Sequence, residues 1–152
     1  MAESMKSREF LELLPDLVRQ QLPSGLEGFQ VIGPTGSLVK LHYHRPAVHY
    51  EVWLRRRQKH VELGLHFEGD PNSNHRSLEL LNRRSEDIRA SLGPEVEVDA
   101  WGKGWTRVHE TLPWEPLGDD FLIEVSLKLS GMIRTLEPIL AAETPSSSTL
   151  AS

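Results

Sequence analysis

Cysteine is absent from the 152 residues, which excludes a disulfide framework, a thiolate zinc site and a cysteine nucleophile. No apolar run approaches the roughly 18 residues that a membrane span needs, so no membrane partner is expected. Positive charge is in deficit, with 17 Lys+Arg against 22 Asp+Glu and a net charge of −5. That balance argues against broad, charge-driven nucleic-acid binding while leaving room for a local basic patch. The opening residues Met1, Ala2, Glu3 and Ser4 carry an acid where a signal peptide has basic charge, and no apolar stretch follows. The expectation is therefore a cytoplasmic protein. What is present, 38% hydrophobic and 26% charged residues, indicates a globular chain. Residues 1–142 are expected to form a single domain, followed by a disordered Ser-rich tail over 143–152.

Patterning then sets the fold class. Phe10, Leu11, Leu14, Leu17, Val18 and Leu22 recur at helical spacing from Ser4 to Leu22, with Pro15 as a kink or restart. From Val39 the period becomes two. Val39, Leu41 and Tyr43, then Val48, Tyr50, Val52 and Leu54, then Val61, Leu63, Leu65 and Phe67 each alternate with polar neighbours. Three strands joined by short turns make an antiparallel meander. Phe29 to Ile32 adds a short edge strand. Asp70 to Asn74 caps a helix that runs on through Leu78, Leu81, Ile88 and Leu92 to the stop at Gly93-Pro94. Val96 and Val98, then Thr106 to Leu112, predict two more strands, and Asp119 to about Leu136 a last helix. The predicted class is α+β in the order α-βββ-α-ββ-α: an antiparallel sheet of about five strands with helices packed on one face.

That order resembles an uncharacterised bacterial and archaeal family, a domain of unknown function sometimes appended to restriction-endonuclease-like proteins. The resemblance runs from about Leu38 to Ile139. It is carried by the meander, by the segment from Ser85 through Leu92, Gly93 and Pro94 to Glu97, and by the hairpin through Trp101 and Val108. It implies a bacterial source and a DNA-transaction or defence context, and brings no catalytic residues.

Candidate sites fall on the polar rows. If four-residue turns pair His44 with His49 and Arg55 with His60, His49 faces His66, and His44, His49 and His66 form a row at roughly 5 Å spacing. Three imidazoles so placed suit Zn²⁺ with an open fourth position, with Glu51 and Glu62 nearby. The bland counterpart is a solvated face with no cofactor. Arg55, Arg56, Arg57 and Lys59 form a basic hairpin tip beside Trp53, suited to phosphates and a stacked base, or to keeping the sheet edge soluble. Trp101, Gly102, Lys103, Gly104 and Trp105 read as a hairpin turn rather than a phosphate loop. No nuclease-type Glu-x-Lys motif, Gly-x-Ser-x-Gly elbow or triad spacing is found, which points away from an enzyme. The leading expectation is a small non-enzymatic module that binds a protein partner or a second copy of itself through Trp53 and the basic tip. The alternatives are a metal-dependent enzyme or sensor on the histidine row, and weak nucleic-acid binding at the tip.

Overall fold

The computed structural model describes residues 3–143, which form four helices and one six-stranded antiparallel sheet. The helices are α1 (Ser7–Gln20), α2 (Pro71–Arg83), α3 (Ser85–Leu92) and α4 (Asp119–Glu143). The strands are β1 (Gln30–Thr35), β2 (Leu38–His42), β3 (Val48–Arg55), β4 (His60–Phe67), β5 (Glu97–Trp101) and β6 (Trp105–Pro113), in the spatial order β1-β2-β3-β4-β6-β5. The α+β class stands. The strand count is six rather than about five, because Gln30 to Thr35 pairs with β2 as an edge strand, with a register shift between Ile32 and Thr35.

Alternation decides what faces the helices. Val39, Leu41, Tyr50, Val52, Leu54, Val61, Leu63, Leu65, Phe67, Val108 and Leu112 all point to one side and are buried. Against that side pack α1 and α4, which also pack on each other, and α2, which lies over β5 and β6. Glu110 sits in this apolar row and is buried. Burial raises its carboxyl pKa, and Lys128 of α4, 3.6 Å away, opposes the shift.

Two local expectations need adjustment. Pro15 neither ends nor restarts α1; it is buried inside one continuous helix with Phe10, Leu11, Leu14 and Val18. The single helix expected after Asp70 is two. Asp70 caps α2 through a 2.9 Å bond from Ser73 N–H, with Pro71 in the first turn. At Arg84 the backbone N–H is shared between Leu80 and Leu81 carbonyls, and its guanidinium closes onto Asp87 at 3.0 Å, so the chain bends into α3. The order becomes α-ββββ-αα-ββ-α. The tail expected over 143–152 lies outside the described residues, apart from Glu143, which belongs to α4. Among the described residues no helix is long and apolar enough to cross a membrane.

Candidate metal centre

The expected register holds at the heart of the meander and fails at one end of it. Arg55 pairs with His60 and His49 with His66. On the other side Leu41 pairs with Tyr50, so the strand pair closes two residues earlier than a His44–His49 match requires. Tyr43 explains the shift. Its ring meets Phe29 edge-on at 6.1 Å and its hydroxyl donates to the Leu26 carbonyl at 2.7 Å, which draws the chain out of β2. His44 therefore sits exposed in the β2–β3 turn, away from the other two histidines.

His49 and His66 stack with ring centroids 5.5 Å apart and planes within 9°. Two glutamates flank the stack. Glu51 Oε1 lies 2.9 Å from His49 Nε2, and Glu51 Oε2 lies 3.6 Å from His66 Nε2. Glu68 Oε2 lies 3.2 Å from His66 Nδ1 and 3.9 Å from His49 Nε2. One donor atom from each of the four residues falls within 4.8 Å of all the others. Both imidazoles and Glu51 are buried. Each glutamate follows its histidine by two residues, on adjacent antiparallel strands and just beyond, so the pleat presents all four on one face.

His49 carries the chemical information. Its Nδ1 lies 2.8 Å from the Pro46 carbonyl, which can only accept, so Nδ1 bears the proton. In the neutral ring Nε2 is then a lone pair, and it points at a carboxylate oxygen 2.9 Å away. Two acceptors hold that distance only with positive charge between them, a proton or a metal ion. A carbonyl fixing one imidazole nitrogen while the other faces outward is how metal-ligating histidines are oriented. One ligand atom from each residue, all within 4.8 Å of one another, can be drawn by small side-chain rotations onto the corners of a Zn²⁺ tetrahedron, which stand about 3.3 Å apart. The hydrogen bond from His66 holds Glu68 below its usual pKa, against the opposing effect of burial, so this carboxyl keeps its charge.

Gly64 shapes the floor. It pairs with Glu51 on one side and His109 on the other. A Cβ there would overlap the Val108 carbonyl and stand 2.8 Å from His109 Cα, so β4 and β6 approach closely only because no side chain intervenes. Across the same face, His109 Nε2 lies 3.3 Å from Asp99 and 3.7 Å from Glu97. That second group is weaker as a site: Asp99 also accepts from Arg107 Nε at 3.3 Å, and Glu97 is 67% exposed. Trp101 walls the stack, its ring edge-on to His66 at 5.5 Å.

The basic tip is less free than its sequence suggests. Arg55 lies over the Trp53 ring at 4.1 Å and reaches Glu62 at 3.5 Å. Arg56 bonds Glu3 at 2.9 Å and covers Trp114 at 4.7 Å, while Trp114 Nε1 donates to the same Glu3 carboxylate. Arg57 and Lys59 stay exposed. Sequence reasoning missed Glu68, Glu97, Asp99 and His109 as site residues. The signal for Glu68 was there, in the repeated His-x-Glu of 49–51 and 66–68. In comparisons with known proteins no family model matches the chain, and neither a curated protein nor a solved structure matches it.

Proposed function

We propose that the protein is a metal-binding module that holds one borderline divalent ion, Zn²⁺ before others, between His49, Glu51, His66 and Glu68. Two imidazoles and two carboxylates suit such an ion, and the two negative charges neutralise it in a site that water scarcely reaches. The observation that carries this reading is the His49 ring, fixed by the Pro46 carbonyl at 2.8 Å with Nε2 aimed at Glu51. Four protein donors fill a tetrahedron and leave no corner for a reactive water, which favours a bound ion with a structural or sensing role over a hydrolytic one.

Calorimetric titration of Zn²⁺ into chelator-treated protein is expected to show one saturable site. His49→Ala and Glu51→Gln should weaken it by about 100-fold or more, and His44→Ala should leave it unchanged. A second-sphere contact alone alters metal affinity by about 10- to 100-fold. Zn²⁺ at about 100 times its Kd should add about 2.7 kcal/mol to stability, reversed by chelator. Absence of heat and of any stabilisation, or equal affinity in His49→Ala, would overturn the proposal.

A second reading is favoured by two arginine–tryptophan stacks at the same end of the sheet, Arg55 on Trp53 and Arg56 on Trp114. Arginine and tryptophan are the side chains that most often dominate protein interfaces, so this end suits self-association. Sedimentation of Trp53→Ala beside the unsubstituted chain tests it: the variant should lose any dimer that the unsubstituted chain forms.

A further inference from the structure

On the helix-covered side, beneath the β2–β3 turn, a cavity of about 300 Å³ opens beside the last turns of α4. Its floor is Tyr50, Leu65 and Phe67, all buried, and Val48 and Leu140 wall it. At the mouth stand Tyr43, His44, Arg45, Ser77, Glu137 and Ala141. We propose that this cavity binds a small organic acid with an apolar, single-ring-sized body, its carboxylate held at the mouth by Arg45 with His44.

The side chains sort into those already engaged and those still free to bind. Tyr50 donates its hydroxyl to Glu137 Oε2 at 2.7 Å, and Tyr43 donates to the Leu26 carbonyl at 2.7 Å. Both phenols therefore offer ring surface to an occupant. Glu137 is the acid on the wall; it accepts from Tyr50, and His44 faces it from the turn. Arg45 differs. Among the described residues it makes a single long bond, 3.4 Å to Ser73 Oγ, and no ion pair, so its planar fork keeps donors for a carboxylate. The volume sits at the small end of the range for ligand sites and matches one ring with a short substituent. Glu137, the acid in the lining, is engaged by the Tyr50 hydroxyl, while Arg45 at the rim has no ion pair, so the cavity favours an acid held at Arg45 over an amine, which Arg45 would repel. This site is independent of the metal centre and lies on the opposite face of β3.

The test uses the full chain with chelator present and three probes of one shape: benzoate, benzamide and benzylamine. Binding is read from backbone amide shifts in two-dimensional NMR. Benzoate is expected to saturate at millimolar concentration or below, moving the amides of Arg45, Val48, Phe67 and Leu140. Benzamide should bind about tenfold more weakly, and benzylamine more weakly still. Arg45→Gln, an exposed substitution, should reduce benzoate affinity about tenfold and leave benzamide unchanged. Ala141→Trp at the exposed rim should block both. Absence of saturable shifts with benzoate, tighter binding of benzylamine, or benzoate binding indifferent to Arg45→Gln would each overturn the proposal.

Discussion

Glu51 and Val52 are chain neighbours on β3, both buried, and they are buried by different means. Val52 faces helices that remove it from water, in contact with Leu63 and Val39 across the sheet. Glu51 faces the side the helices leave uncovered, and what removes it from water is the crowd of polar groups around it, His49, His66 and Glu68, with Trp101 leaning over the edge. Dispersion and the hydrophobic effect stabilise the first face whatever its partners are, provided they fill space. The second face is stable only if each polar atom meets an atom of opposite demand. Four buried nitrogens lack a hydrogen-bond partner among the described residues, His42 Nδ1, His60 Nε2, Trp101 Nε1 and His109 Nδ1, and all four belong to strand residues on the polar side. Incomplete satisfaction is thus confined to the face that carries the candidate site, as expected where function rather than packing sets the residues.

The sharpest contrast between the faces comes from neighbouring residues of β4. Leu63→Ala opens a cavity under the helices and is expected to cost about 2–5 kcal/mol in urea unfolding. Gly64→Ala changes the polar face and adds only a methyl group, yet should cost about 3 kcal/mol because the methyl meets β6 backbone, 2.8 Å from His109 Cα. A cost under about 1 kcal/mol would mean that the strands separate easily there.

Acid titration distinguishes the faces next. Glu68 has its pKa lowered from 4.5 by the His66 hydrogen bond, so the folded protein binds fewer protons than the unfolded chain below that value. Its contribution is present above 4.5 and is lost as pH falls through the folded value. Glu137, on the helix side, has its pKa raised from 4.5 by burial, with Tyr50 and His44 opposing; its contribution is present below 4.5 and is lost as pH rises through the folded value. In chelator, Glu68→Gln should flatten the acid limb of the Tm profile, and Glu137→Gln should flatten the decline on the other side of 4.5. Identical profiles for both variants would remove the distinction. The smallest effect belongs to neither face: Glu3→Gln loosens Arg56 and Trp114 at the surface and should cost less than about 1 kcal/mol, vanishing at high salt.

Legibility followed the same division. The apolar rows of β2, β3 and β4 could be read from period two alone, because a one-residue slip would expose every member. The His49–His66 pairing followed from a short turn between Arg55 and His60. His44 was misplaced because Tyr43 anchors outside the strand, through a bond to Leu26 that lies 17 residues back in the chain. The basic tip read as free because Glu3, which holds Arg56, is 53 residues away.

Sequence alone determined the class, the faces of the strands and the opposition of His49 to His66, since these depend on local period and turn length. The tertiary structure decided where each polar chain ends: Glu68 against His66, Pro46 against His49, Arg56 against Glu3, Tyr50 against Glu137. Apolar groups accept any neighbour of suitable size, so their pattern can be read in one dimension. A hydrogen bond needs one atom within about 3 Å of another, and that depends on how the chain closes in space.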